Sequence, residues 1–118
     1  MPILTIEIVQ RPDEIFDAGL AQRIANQAGD IFASRPGGTW VKILPVTQYA
    51  ENLSDEPYYP VFVHVLHSRL PEGDNLQRQT DELTYAIAQE IDRSPENIHL
   101  IYEPPGLNRV AFGGTLVT

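Results

Sequence analysis

The sequence contains no cysteine, so neither a disulfide nor a thiolate metal site can contribute to its fold or chemistry. No apolar run approaches the roughly 20 residues that span a bilayer. The first residues lack the basic segment and small-residue cleavage site of a secretory signal. These absences give the expectation of a cytoplasmic protein with no membrane partner. Basic residues are also scarce: eight Lys and Arg stand against sixteen Asp and Glu, a formal charge of -8. Such a chain repels the phosphate backbone that a nucleic-acid binder must neutralise, so no nucleic-acid partner is expected. An anionic small molecule stays compatible, because a few arginines focused in a cleft outweigh a diffuse charge that salt screens within about 10 Å.

What is present is enough for one domain over residues 1–118, with 42% hydrophobic and 20% charged residues and length to bury a core. After Met1 and Pro2 comes the run Ile3-Leu4-Thr5-Ile6-Glu7-Ile8-Val9, β-branched at five positions and charged only at Glu7, which reads as a mostly buried strand. Pro12 and Asp13 supply helix-start chemistry. Phe16, Leu20, Ile24, Ala28, Ile31 and Phe32 then recur at steps of three and four, predicting an amphipathic helix of roughly five turns. Arg35-Pro36-Gly37-Gly38 ends it, and residues 39–46 read as a second strand, with Pro45 marking an edge or an end.

Residues 47–59 are polar, acidic and aperiodic, the pattern of a connector. The chain then repeats itself. Pro60-Val61-Phe62-Val63-His64-Val65-Leu66-His67-Ser68-Arg69 lies without gaps over Pro2-Ile3-Leu4-Thr5-Ile6-Glu7-Ile8-Val9-Gln10-Arg11, proline first and arginine last in both. A second helix is predicted from Asp74 to about Arg93 on the stripe Leu76, Leu83, Ile87 and Ile91. A strand over Ile98–Tyr102 follows, Pro104-Pro105-Gly106 breaks it, and the tail from Arg109 to Val117 suits a short hairpin or an edge strand. The pattern is α+β: two tandem β-α-β units, residues 2–46 and 60–114 about the connector, forming a four-stranded mixed sheet with two helices on one face. The other face stays uncovered, which predicts a symmetric homo-oligomer.

These residues resemble the tautomerase superfamily, whose members share an N-terminal proline and a β-α-β unit, single in 4-oxalocrotonate tautomerase and duplicated in longer relatives. Residues 60–114 are similar to a full single-unit member, from the arginine ending Leu66-His67-Ser68-Arg69 to the closing Phe112-Gly113-Gly114. Phe62-Val63-His64-Val65-Leu66-His67, with Glu90-Ile91-Asp92-Arg93 and Tyr102 downstream, looks most like cis-3-chloroacrylic acid dehalogenase, and malonate semialdehyde decarboxylase is a comparable relative. The resemblance implies a homotrimer with one active site around each Pro2, closed by neighbouring chains, and a small anionic substrate.

The chemistry follows from an amine. Once Met1 is removed, Pro2 heads a buried strand as a secondary amine, and desolvation lowers the proton affinity of an α-amino group that titrates near 8 in water. Such a group can shuttle a proton between carbon and oxygen of an enol. With Met1 retained, the same nitrogen is an amide with no basic lone pair, and the fold would serve as a non-catalytic trimeric binding module. Pro60 is amide-linked and therefore structural.

An arginine holds a substrate carboxylate bidentately, and Arg69, at the family's strand-end position, is the first candidate, followed by Arg11 and Arg109. Tyr102 stands where dehalogenase relatives carry a tyrosine able to polarise a carbonyl, and Lys42 and His99 are further anion-binding candidates. His64 and His67 alternate with Val65 and do not form a metal-ligand set, so no metal and no cofactor are expected. These features imply an isomerase of a small 2-oxo or enol carboxylic acid. The alternative is a dehalogenase, hydratase or decarboxylase on a three-carbon acid, although no histidine lies in residues 25–30, where the dehalogenases use one.

Overall fold

The first strand, β1 (Ile3–Val9), lies inside a four-stranded sheet ordered β2-β1-β3-β4, with β2 (Trp40–Val46), β3 (Val61–Leu66) and β4 (Ile98–Tyr102). The computed structural model describes residues 2–56 and 58–118; Met1, on whose removal the proline amine depends, and Pro57 of the connector lie outside the described residues. Each half is a parallel pair, β1 with β2 and β3 with β4, while β1 and β3 run antiparallel with Ile3 opposite Leu66 and Ile8 opposite Val61. The two repeats are therefore head to tail. Pro2 and Pro60 stand at opposite ends of the sheet, and so do Arg11 and Arg69.

Helices α1 (Leu20–Ile31) and α2 (Asp74–Ile91) cover one face. Leu4, Ile6 and Ile8 alternate with Ile3, Thr5 and Glu7, so the even positions of β1 and the odd positions Val61, Val63 and Val65 of β3 point to the helices and are fully buried. Leu20, Ile24 and Ala28 of α1 and Leu83, Ile87 and Ile91 of α2 meet them, each of the larger side chains worth about 2 kcal/mol in apolar burial. Among the described residues no helix is long and apolar enough to cross a membrane. The tail forms a hairpin of β5 (Ala111–Phe112) and β6 (Thr115–Leu116), with Phe112 edge-on to Trp40 at 5.2 Å.

The first helix is shorter than its periodicity suggests. Residues 12–19 are irregular: Asp13 has a left-handed φ of 61°, and the Asp17 side chain accepts a hydrogen bond from the Gly19 amide at 2.5 Å, so the helix starts only at Leu20. What holds this segment is Arg93. Its guanidinium, fully buried, donates to both Glu14 carboxylate oxygens at 2.8 Å and to the carbonyls of Val9, Tyr59 and Ile91 at 3.0, 3.0 and 3.2 Å. The Glu14 carboxylate also takes the Arg11 amide. Phe16, expected inside the helix, instead packs on the core from the preceding loop.

The uncovered face carries Ile3, Trp40, Leu44, Leu66 and Ile101, three of them among the most exposed large apolar side chains described. The aperiodic connector covers part of it. Tyr58 hydrogen-bonds His99 at 2.7 Å, and Tyr49 packs on Phe62.

At the centre of that face His64 bridges two carboxylates, Nε2 to Glu7 at 2.8 Å and Nδ1 to Glu103 at 3.0 Å, which ties three adjacent chain segments together. Only the imidazolium donates from both nitrogens. The Glu7 hydrogen bond first, and Glu103 after it, raises the His64 proton affinity above the usual histidine value of 6.5. A raised folded-state pKa means stability that is whole below about pH 6.5 and is lost as pH rises through the folded value. The difference in urea midpoint between wild type and His64→Gln is therefore expected to be larger at pH 6 than at pH 8.5. An equal difference at both would contradict the bridge.

Candidate active site

The register of β1 and β3 decides what stands beside Pro2. The ladder ends with Ile3 opposite Leu66; carried on by one residue, the same register brings Pro2 across from His67. Facing residues in such a pair have Cα atoms about 4.5–5.5 Å apart and side chains on one side of the sheet. Both residues are buried and continue the helix-facing sets Leu4-Ile6-Ile8 and Val61-Val63-Val65. The Pro2 carbonyl accepts the Trp40 amide at 3.0 Å, tying the strand head to β2.

Around this pair lie aromatic groups from three elements. The Tyr102 ring stacks on His67, 6.2 Å between centroids and 13° between planes, while Phe32, just past α1, meets it edge-on at 5.0 Å and 85°. The Tyr102 hydroxyl lies 2.5 Å from Thr80 Oγ1, and Thr80 donates its own proton to the Leu76 carbonyl, so Tyr102 is the donor to Thr80 and keeps its lone pairs free. Burial raises the Tyr102 phenol above its usual value and lowers the His67 imidazole below its own, which makes both neutral near pH 7. His67 Nε2 is fully buried with no hydrogen-bond partner among the described residues.

The remaining candidates divide by sheet end. Arg69 follows β3 by three residues and is exposed at the Pro2 end. Arg109 is exposed in the turn after Gly106, whose amide donates to the His67 carbonyl at 2.7 Å, so it too belongs to this end. Arg11 does not. Nine residues of extended chain separate it from Pro2, about 30 Å, and it faces Glu14 and Asp92 at 3.9 Å. His99 sits near the start of β4, at the Pro60 end, held by Tyr58. Lys42 is exposed in mid-strand on the uncovered face, opposite Thr5.

Two residues stand out that sequence reasoning passed over. His67 extends an apolar alternation, Val61, Val63, Val65, onto the same face, and that position is the signal of a buried histidine. Arg35 lines a concavity of about 700 Å³ between α1 and the start of β2, together with Asn26, Gly29, Thr39 and Trp40. That concavity adjoins Pro2 through Trp40, but neither Pro2, His67 nor Tyr102 lines it. Among the described residues no group of three His, Asp or Glu side chains is arranged to hold a metal, and Glu7-His64-Glu103 spends both ring nitrogens on carboxylates.

No protein-family model matches the chain, and no curated protein matches it significantly. Solved structures do. The chain is similar to a macrophage migration inhibitory factor homologue from Prochlorococcus marinus at 14% identity and a TM-score of 0.78, over 98% of this chain and 99% of that one. It is also similar to the macrophage migration inhibitory factor from Trichinella spiralis, at 13% identity and a TM-score of 0.76 over 97% and 98% of the two chains. The factor from Oncomelania hupensis aligns at 13% identity and a TM-score of 0.76 over 98% of this chain and 81% of that one. The chain thus has the α+β fold of macrophage migration inhibitory factor homologues, the fold of the tautomerase superfamily that its sequence resembles.

Proposed function

We propose that the chain is a tautomerase that interconverts the keto and enol forms of a small 2-oxo carboxylic acid, with the amine of processed Pro2 carrying the proton. The observation that supports this reading is the burial of Pro2 at the head of an interior strand, at the same sheet end as Arg69 and Tyr102. The antiparallel repeats favour Arg69 over Arg11 as the carboxylate anchor, since only Arg69 shares that end. The neutral amine takes a proton from the carbon next to the carbonyl and, now protonated, passes it to the enolate oxygen, which restores the neutral amine; the reverse path starts with removal of the enol hydroxyl proton by the same amine. Arg69 binds the carboxylate and draws charge away from the reacting carbon. Arg109 is the second cation at this end, and the Tyr102 hydroxyl, once turned from Thr80, donates to the substrate carbonyl.

Residues 1–118 act as one tautomerase-like domain, and the working form is a cytoplasmic homotrimer. Support for assembly comes from the uncovered sheet face and its apolar Ile3, Trp40, Leu66 and Ile101. Light scattering on the purified protein is expected to give three times the chain mass, and a monomer would remove this part of the reading.

The chemistry is tested with a spectroscopic assay of phenylenolpyruvate or 2-hydroxymuconate on wild type, Pro2→Ala and Arg69→Ala. Arg69→Ala should raise KM by about tenfold, the loss of one charge-assisted pair at an exposed site. Pro2→Ala should lower kcat. Equal rates for all three proteins would sink the assignment.

A further inference from the structure

We propose that His67 is the hydrogen-bond partner of the processed Pro2 amine and sets how tightly that amine holds its proton. The inference rests on the proline-amine reading above and adds to it a residue acting through Pro2, a positioning residue. Three observations carry it. The strand register, carried one residue past its last pair of Ile3 with Leu66, sets the two residues face to face, and both are buried. His67 has a fully buried ring nitrogen, Nε2, with no partner among the described residues, and buried polar atoms are almost always satisfied. The ring is also held in place: Tyr102 stacks on one side, Phe32 abuts it edge-on, and the Gly106 amide holds the His67 carbonyl.

A neutral imidazole has one acceptor nitrogen. A secondary amine that heads a strand has one N–H when neutral and two when protonated, so it can supply the missing donor in either state. The bond is stronger to the ammonium. Left to desolvation alone, the Pro2 amine would become so weak a base that it would hold few protons near neutral pH and donate poorly on the return half of the reaction. The His67 acceptor offsets part of that loss and holds the amine between its two states.

The groups that face His67 are Pro2 just before β1, the positive charge of the chain's amino terminus, which also disfavours the imidazolium, the Tyr102 phenol from β4, the Thr80 hydroxyl of α2 behind Tyr102, and Phe32 after α1. No carboxylate or guanidinium hydrogen-bonds it among the described residues. Burial disfavours protonation of the imidazole, so it acts as an acceptor over the working range.

The test uses protein with Pro2 made N-terminal by methionine aminopeptidase and checked by mass. Its prolines are labelled with 15N, and the Pro2 nitrogen is titrated by NMR in wild type, His67→Phe and His67→Gln. His67→Phe should lower the amine midpoint by about one pH unit, a tenfold loss of proton affinity, because a bond to a charged group is removed. His67→Gln keeps a side-chain acceptor and should lower it less. Should the phenylalanine variant fail to fold, the glutamine variant still gives a measurable downward shift. Superimposed titrations of wild type and every folded variant would overturn the proposal. The readout does not use turnover: an inactive wild type whose amine midpoint still falls in His67→Phe would sink the tautomerase reading and leave this inference standing.

Discussion

Replacing Arg93 with methionine is expected to cost about 3–5 kcal/mol of unfolding free energy, the usual loss when one partner of a buried ion pair is removed. Methionine fills the volume of the side-chain stem but offers no donor. The Glu14 carboxylate, only 15% exposed, would then be left without the guanidinium, and the Val9, Tyr59 and Ile91 carbonyls would each lose a hydrogen bond. The pair also carries a pH signature. The Arg93 hydrogen bond is the main reason that the Glu14 carboxyl titrates below its usual 4.5, outweighing the opposing effect of burial. A depressed carboxylate pKa stabilises above the unfolded value and is lost as pH falls through the folded one. Wild type should therefore lose more stability than Arg93→Met between pH 6 and pH 3. Guanidinium midpoints at both pH values, with unchanged slope, measure this. A loss under about 1 kcal/mol would mean that the segment from Arg11 to Gly19 is held by something else.

The same residue explains where the sequence was hard to read. Strand boundaries and the core were legible because alternation and β-branching run without interruption through Ile3–Val9 and Val61–Leu66. The start of α1 was not. Pro12 and Asp13 carry helix-start chemistry, yet a contact 79 positions away, Glu14 with Arg93, holds that stretch out of helix, and local pattern contains no trace of it. The gapless match of Pro2–Arg11 to Pro60–Arg69 was visible, and a mixed sheet of two parallel pairs already sets the copies antiparallel; which arginine shares the end of Pro2 follows only from the strand order and register, and these separate Arg69 from Arg11. His67 could be found in the sequence only by following the Val61-Val63-Val65 alternation one step beyond the strand. The cover of Tyr49 and Tyr58 over the open sheet face is a tertiary contact of an aperiodic stretch, which no periodicity announces.

The second large effect concerns Met1. A retained methionine is expected to lower kcat/KM on a 2-oxo acid by about 10²–10⁴-fold, the usual contribution of a positioned acid-base group. The reason is electronic. An amide nitrogen delocalises its lone pair into the carbonyl and has no useful basicity, whereas the Arg69 guanidinium and the Tyr102 hydroxyl keep their own chemistry in either form. Substrate binding should then suffer much less than turnover, which distinguishes a lost base from a lost site. Pro2→Ala should fall between the two forms, because alanine keeps a primary amine but not the ring that fixes its direction.

The central claim is that catalysis depends on a free proline amine at the head of β1, and it is most directly tested on one polypeptide in two forms. Protein with Met1 retained and protein with Pro2 N-terminal, each verified by intact mass, are compared for the rate of phenylenolpyruvate ketonisation under identical conditions. The expected result is activity in the Pro2-terminal form and a loss of about 10²-fold or more in the other. Equal rates for the two forms would contradict the claim.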